Sequence, residues 1–158
     1  MQEKVQSESF PRQLPSTASI EFHPLHAMLV SFPIVCFVGA FVTDVAYWRT
    51  AEMMWADLSA WLLAAGLVMG VLAAIAGIID FVGNREIRKI TPAWIHAGGS
   101  GLVLVLAFFN SLIHSRDAWT SVVPAGLILS ALTVMVMVLT GWMGWTMVYR
   151  HRVGVIGS

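Results

Sequence analysis

HPLHAMLVSFPIVCFVGAFVTDVAYW, residues His23–Trp48, is the stretch that decides the fold of this chain. From Ala27 onward it is apolar and holds a single charged residue, Asp44. About 20 such residues in a helix rising 1.5 Å per residue cross the ~30 Å hydrocarbon core of a bilayer. The stretch therefore predicts a transmembrane helix. Pro33 should bend that helix, because it removes the hydrogen bond to Leu29 and crowds that carbonyl group.

Three further apolar segments of similar length follow, over residues 58–82, 93–113 and 122–149. None alternates with a period of two, which argues against a β-barrel, and the sequence shows no convincing internal repeat. The fold class predicted is all-α, a bundle of four transmembrane helices. This membrane domain should cover residues 22–150, between a disordered polar tail (1–21) and a short tail (151–158).

Composition excludes several functional classes. Hydrophobic residues make up 58% of the 158 residues and charged residues 11%, far from the balance of soluble domains. The formal net charge is zero, so no basic excess is present to bind nucleic acid. Cys36 is the only cysteine, which excludes a disulfide scaffold and the paired cysteines of c-type haem attachment. The lipid bilayer is the partner that the composition requires.

The basic residues predict an orientation. In a four-helix topology, Arg49 and Arg116 fall on one side of the membrane, and the other seven basic residues fall on the opposite side: Lys4, Arg12, Arg85, Arg88, Lys89, Arg150 and Arg152. Cytoplasmic loops carry the excess of lysine and arginine. We therefore expect both termini in the cytoplasm.

Small residues mark the expected helix contacts. The second helix carries a stripe of them that would let a neighbouring backbone approach closely: Gly66, Gly70, Ala73, Ala74 and Gly77. The fourth helix repeats this device at Gly141 and Gly144.

Histidines are the residues with chemical potential, because ionisable side chains in membrane spans are costly and often functional. His23 and His26 open the first helix and are close enough in sequence to share one face. His96 lies in the first turns of the third helix, and Asp80 lies at the end of the second. In a four-helix topology these four residues lie at one depth.

This cluster has three interpretations. The first is one haem b near the cytoplasmic face, with His26 and His96 as iron ligands and with His23 and Asp80 beside them. The second is a site for Zn²⁺ or a similar ion. The third needs no cofactor: the histidines cap helix starts and bond to Asp80 or to lipid headgroups.

The opposite end of the bundle suggests less chemistry. Asn110 should make an interhelical hydrogen bond, and His114 and Arg116 should be solvated at the helix end. Asp44 lies near the same end. A polar proton path along the third helix is not favoured, because the middle of its face is apolar at Val103 and Ala107. No G-x-S-x-G turn and no Gly-rich phosphate loop occurs in the sequence.

The same residues resemble a known family, the bacterial membrane proteins of domain-of-unknown-function family 2231. The similarity is carried by HPLHAMLVSFP, which begins at His23, by WLLAAGLVMGVLAAIAGIIDF (Trp61–Phe81), and by the later His96 and FFN (Phe108–Asn110). The resemblance implies a bacterial inner-membrane protein with four helices. It also implies a genomic setting beside redox proteins, including quinoprotein sugar dehydrogenases and c-type cytochromes. The family's motif positions fall on His23, Pro24, His26, Asp80 and His96.

The leading functional hypothesis is a cytochrome b-like subunit that passes electrons between a quinone and another membrane or redox protein subunit. Arg85, Arg88 and Lys89 would then neutralise haem propionates, unless they serve only as orientation signals. The alternative is a cofactor-free structural or accessory subunit of a larger bacterial membrane complex.

Overall fold

Four long helices dominate the computed structural model, which describes residues 17, 19–20, 23–115 and 122–151. In chain order the strands are β1 (Ser19–Ile20) and β2 (His23–Pro24), and the helices are α1 (Leu25–Leu29), α2 (Ser31–Thr50), α3 (Met53–Gly83), α4 (Thr91–His114) and α5 (Leu127–His151). A 3₁₀ turn, Ile87–Lys89, precedes α4, and a π-helical turn, Val122–Gly126, precedes α5. Most of the tail predicted over residues 1–21 and of the tail over 151–158 lies outside the described residues.

The first span consists of two helices. Helix α1 ends at Leu29 and α2 begins at Ser31, with the backbone N–H of Val30 still donating to the carbonyl of His26 at 3.0 Å. The interruption precedes Pro33 by three residues, as expected for a proline that lacks a donor and crowds the carbonyl four residues earlier. Before it, β1 and β2 form a two-residue antiparallel ladder with Ile20 opposite His23.

Four segments are long and apolar enough to cross a membrane: Leu25–Thr50, Met53–Gly83, Thr91–His114 and Val122–Arg150. Their outward faces are apolar, with Val68, Val138 and Trp142 all more than 60% exposed. In water such a surface would drive aggregation, whereas lipid tails solvate it. The predicted all-α bundle of four transmembrane helices is confirmed, and the protein is a multi-pass membrane protein.

Short links join the helices into two hairpins. Helices α2 and α3 are connected by Ala51 and Glu52 alone, and Ala51 adopts a left-handed φ of 57° that lets its N–H bond to the carbonyl of Tyr47. We call α1–α3 the first hairpin, and α4 with α5 and the π-helical turn before it the second. Between them lies a small apolar core of Phe37, Ala40, Leu63, Val103 and Ala107.

The two hairpins bury equivalent positions. A shift of 70 residues carries buried positions of α2 onto buried positions of α4: Pro33 onto Val103, Phe37 onto Ala107, Ala40 onto Asn110, and Asp44 onto the buried side chain of His114. A shift of 67 residues does the same for α3 and the last span: Ser59 onto Gly126, Leu63 onto Ser130, Gly66 onto Thr133, and Ala73 onto Thr140. We call this pattern the hairpin repeat. The expectation of no internal repeat is therefore wrong for burial, because the positions named above share burial although their residue types differ.

The predicted small-residue contacts hold on α3 and only partly on α5. A Cβ atom placed on Gly66 would lie 2.5 Å from a ring carbon of Phe37, and one on Gly70 would lie 2.7 Å from Leu104. On α5, a Cβ on Gly144 would meet His96 at 3.0 Å, but one on Gly141 would meet nothing within 4 Å. Gly141 is therefore not a packing glycine among the described residues.

Orientation in the membrane is a prediction that a reporter fusion tests. A reporter active only in the periplasm, fused after Ser158, should give no signal, because most basic residues lie at the end of the bundle where the chain terminates. A truncated chain fused after Glu52 should give a strong signal and serves as the positive control. A strong signal from the Ser158 fusion would reverse the orientation and place His26 and His96 at the periplasmic face.

Candidate functional site

His26 is fixed on the first hairpin by a hydrogen bond and a close glycine contact. Its Nδ1 lies 2.8 Å from the backbone carbonyl of Ala73 on α3. One turn further along α3, a Cβ atom on Gly77 would lie 2.9 Å from the same nitrogen. The imidazole ring thus lies against bare backbone, and any larger residue at position 77 would displace it.

His96 is held in the same way on the second hairpin. Its Nδ1 lies 3.0 Å from the backbone carbonyl of Thr140 on α5. One turn further along α5, a Cβ atom on Gly144 would approach the ring to 3.0 Å. The hairpin repeat therefore extends to these residues. His26 and His96 are 70 residues apart, the shift that relates α2 to α4, and Gly77 and Gly144 are 67 apart, the shift that relates α3 to the last span.

The two rings meet at one end of the bundle, which we call the histidine end. Their centroids are 5.8 Å apart and their planes stand at 88°. Both border a cavity of about 80 Å³ whose wall is otherwise almost entirely apolar or small. All four spans contribute to this wall, which includes Pro33, Phe37, Gly70, Ala73, Val103, Leu104, Met137 and Gly141.

Hydrogen bonding determines which nitrogen of each ring has a free lone pair. A carbonyl oxygen only accepts, so Nδ1 of His26 and Nδ1 of His96 must each carry a proton and donate it. In a neutral imidazole the other nitrogen, Nε2, is then unprotonated and has a free lone pair. Histidines that ligate metals commonly donate their second nitrogen to a backbone carbonyl in this manner.

The other two predicted site residues are placed less directly. His23 pairs with Ile20 in the short ladder, and its side chain lies outside the described set. Asp80 lies on α3 one turn beyond Gly77, half-buried, and it does not line the cavity. The described residues contain no group of three or more His, Cys, Asp or Glu side chains that could hold a metal ion. The described part of the chain thus lacks the three or four protein ligands typical of zinc.

Two of the basic residues considered for propionates bind elsewhere. Arg88 Nη1 donates to the carbonyls of Phe81 and Val82 at the end of α3. Lys89 pairs with Glu86 at 2.7 Å on the surface. These contacts stabilise the end of α3 and the following turn, and they do not support a role of Arg88 or Lys89 beside a cofactor.

A second polar cluster lies toward the opposite end of the bundle and differs from the expectation for His114. The side chains of Asp44 and His114 are both 0% exposed, and His114 Nε2 lies 2.9 Å from Asp44 Oδ1. His114 Nδ1 lies 2.9 Å from the carbonyl of Asn110. The prediction that His114 is solvated is therefore wrong, because Asp44 on the facing hairpin supplies a buried polar partner.

Hydroxyl and amide groups complete this cluster. Ser130 donates to Asp44 Oδ2, and Asn110 Nδ2 donates to Ser130 Oγ at 2.7 Å. The interhelical bond predicted for Asn110 is thus confirmed. Nearby, Thr43 and Ser59 pair through their hydroxyls at 2.6 Å and link α2 to α3. We call Asp44, Asn110, His114 and Ser130 the Asp44 cluster.

The whole membrane domain matches one protein family in sequence. The chain matches the family described as "Predicted membrane protein (DUF2231)" over residues 22–157. The chain belongs to this family. No curated protein and no solved structure matches it. Membership in DUF2231 accounts for the membrane spans, and the chemistry has to be argued from the two polar sites.

Sequence reasoning missed the backbone groups that hold the histidines and the partner of Asp44. A carbonyl acceptor, such as that of Ala73 or Thr140, leaves no trace in residue type. The 70-residue spacing was a usable signal, since it relates His26 to His96 and Asp44 to His114. This signal is weak, because at its second occurrence the spacing connects unlike residues, Asp44 and His114.

Proposed function

We propose that this protein is a small cytochrome b-like electron-transfer subunit that binds one haem b at the histidine end, between His26 and His96. The observation that carries the proposal is the pair of imidazoles, contributed by different hairpins, whose centroids are 5.8 Å apart beside an apolar cavity. Electrons would pass between a quinone dissolved in the bilayer and another redox subunit. A bacterial inner membrane is the proposed location.

The donor set supports ligation of one metal centre by both rings. Histidine nitrogens bind transition metals at about 2 Å, so only neighbouring rings could share one ion. The centroids of His26 and His96 are 5.8 Å apart, so the two rings are neighbours. The carbonyls of Ala73 and Thr140 hold the rings in the tautomer that such ligation needs.

A haem bound there would supply one-electron transfer, with its potential set by the two imidazoles and the apolar surroundings. The residues of this chain would hold the site in place. Gly77 and Gly144 let each ring lie against a helix backbone, and Pro33 and Phe37 form part of the apolar wall that excludes water.

Cavity size favours a second candidate, a cofactor-free accessory subunit of a larger membrane complex. The cavity of about 80 Å³ is smaller than the ~300–1,000 Å³ of typical ligand pockets. Haem binding therefore requires side chains such as Leu104 and Met137 to move outward. Without a cofactor, the two histidine–carbonyl bonds would serve only to fasten the helices of each hairpin.

An absorption spectrum separates the two candidates. The protein should be purified from cells with full haem supply and measured oxidised and after reduction with dithionite. The haem proposal expects a Soret band and a sharp α band in the reduced form, as for low-spin iron with two imidazole ligands. Absence of Soret absorption would overturn it, and the accessory-subunit candidate would then lead.

Ligand substitutions should remove the spectrum selectively. His96→Ala should abolish the reduced α band or make the iron high-spin, because no other described α4 side chain at the cavity offers an imidazole. His26→Ala should do the same, unless His23 substitutes, and the double variant removes that escape. His151→Ala is the matched control and should keep the parent spectrum, since position 151 lies 11 residues beyond Thr140, about 16 Å along the helix. An unchanged spectrum in His96→Ala would exclude His96 as a ligand.

A glycine substitution tests the placement of the ring without removing the ligand. Gly144→Ala adds a methyl group about 3.0 Å from His96 and should weaken haem binding at least tenfold in a titration with haemin. Gly98→Ala adds the same group to open space on α4 and should bind like the parent. Equal affinities for both variants would contradict the proposed role of Gly144.

A further inference from the structure

We propose that the Asp44 cluster is a proton-binding site inside the membrane domain, which takes up and releases one proton at the Asp44–His114 pair. This site is separate from the histidine end. The apolar core that includes Phe37, Leu63 and Ala107 lies between the two sites along the bundle. The proposal stands whether or not a haem is bound.

Geometry fixes the number of protons in the pair. The carbonyl of Asn110 can only accept, so Nδ1 of His114 must donate. The 2.9 Å contact between Nε2 and Asp44 Oδ1 contains one further proton, because two lone pairs or two donors at that distance repel. The pair thus holds one proton between carboxylate and imidazole, with the neighbouring hydroxyl of Ser130 donating to the other carboxylate oxygen.

Release of that proton changes a contact between the two hairpins. The Nε2–H bond breaks, its electron pair stays on the nitrogen, and the proton passes to water. The ring becomes neutral, and the Asp44 carboxylate keeps its charge and the hydrogen bond from Ser130. Two lone pairs then face each other, so the contact between α2 and α4 must loosen. Uptake of the proton reverses this step.

An unpaired acceptor and a glycine lie beside the ring. Asn110 is 0% exposed, and its Oδ1 has no hydrogen-bond partner among the described residues. A Cβ atom on Gly126 would lie 3.5 Å from this oxygen and 2.8 Å from His114 Cε1. The oxygen and the ring therefore both lie beside Gly126, where any side chain would collide with the ring. Oδ1 of Asn110 is an acceptor next to the group that gives up its proton.

The surroundings leave Asp44 as the charged group that acts on His114. Among the described residues, Asp44 is the charged side chain that pairs directly with His114. In the bundle core, α3 contributes the hydroxyl of Ser59, which pairs with Thr43, and α5 contributes that of Ser130, which donates to Asp44. The charged residues closest in sequence to this end of α2 and α3 are exposed: Arg49, Glu52 and Asp57.

The site is close to the end of the bundle. His114 is the last residue of α4, and Ser115 after it is exposed. Asp44 precedes the end of α2 by six residues, about 9 Å along the helix. Asp44 and His114 occupy equivalent positions of the hairpin repeat, as His26 and His96 do. Two imidazoles offer two lone pairs to a metal, whereas a carboxylate with an imidazole retains a proton.

Nitrogen NMR of the full chain in lipid nanodiscs tests the proposal directly. The protein is labelled with ¹⁵N-histidine and with ¹³C-carbonyl asparagine, and the ring of His114 is identified by its Nδ1–H bond to the Asn110 carbonyl, so no variant is needed for assignment. Between pH 5 and 9 the ring should change from two protonated nitrogens to one, with Nε2 losing its proton. A ring that stays in one protonation state over this range would overturn the proposal and leave a static structural pair.

Asp44→Asn provides the matched comparison. Its amide N–H can donate to Nε2, so the ring should stay neutral throughout the titration and lose the two-proton form. A variant ring that still gains and loses the proton like the wild type would overturn the assignment of Asp44 as the partner. Should this variant fail to fold, the titration of the wild type still decides between a proton-binding site and a static pair.

Discussion

Asp44→Ala should lower the free energy of unfolding by about 3 to 5 kcal/mol. Truncation removes the carboxylate oxygens that pair with Nε2 of His114 and with the hydroxyl of Ser130, so both groups lose their partner in a cluster whose Asp44 and His114 side chains are 0% exposed. Asp44→Asn keeps the shape and one hydrogen bond and should cost only about 1 kcal/mol. Unfolding in mixed micelles with increasing denaturing detergent, followed by circular dichroism, measures both differences.

A double-mutant cycle distinguishes loss of the Asp44–His114 contact from nonspecific destabilisation of the fold. His114→Ala alone should be costly for the same reason, but in the Asp44→Ala background it should add much less, because the partner is already gone. If the losses of Asp44→Ala and His114→Ala simply add, the two side chains stabilise the fold independently. That result would contradict the stabilising contact inferred here.

The helices were predictable because the bilayer makes the sequence signal strong. Each span must be apolar over its whole length, and each must satisfy its backbone hydrogen bonds internally. The apolar run from Ala27 to Trp48 meets both requirements only as a transmembrane helix. Span ends were less certain: α3 begins at Met53, five residues before the predicted segment, because Glu52 and Ala51 suffice to link the hairpin.

The histidine end was predictable in outline. Matched depth on the first and third spans follows from topology alone, and His26 and His96 do meet. Rotation of each helix about its axis does not follow from topology. It depends on packing at positions such as Gly66 and Gly144, so the exclusion of Asp80 from the cavity lining was not visible in sequence.

Buried polar contacts between hairpins were the hardest to predict. A histidine at a helix end is usually solvated, and the sequence around His114 gave no contrary sign. Two facts together indicate that His114 is buried. Asp44 lies inside the first span, and the hairpin repeat places Asp44 and His114 at equivalent positions. An ionisable residue within a span calls for a partner, and that requirement would have been the better guide.

Gly66→Leu should destabilise the bundle by about 3 kcal/mol or more, at the upper end of the cost of overpacking. Even the first added carbon would lie 2.5 Å from one ring carbon of Phe37, 2.9 Å from another and 3.0 Å from Cys36. Phe37 is 2% exposed and lies in the core, so its ring cannot move aside. The helices α2 and α3 must separate, which also disturbs the hydroxyl pair of Thr43 and Ser59 one to two turns away. Thermal unfolding in detergent should show a large loss of stability.

Gly101→Leu is the control that separates the effect of overpacking from the effect of exchanging glycine for leucine. It makes the same substitution within a membrane span, but nothing lies within 4 Å of its new Cβ atom. Leucine also favours helix over glycine by up to about 1 kcal/mol, so this variant should be as stable as the parent or slightly more so. In thermal stability, we expect Gly101→Leu to lie at or above the parent and Gly66→Leu to lie far below it. A reversed order would mean that α3 presents a different face to α2, and the hairpin repeat, which depends on that face, would be wrong as well.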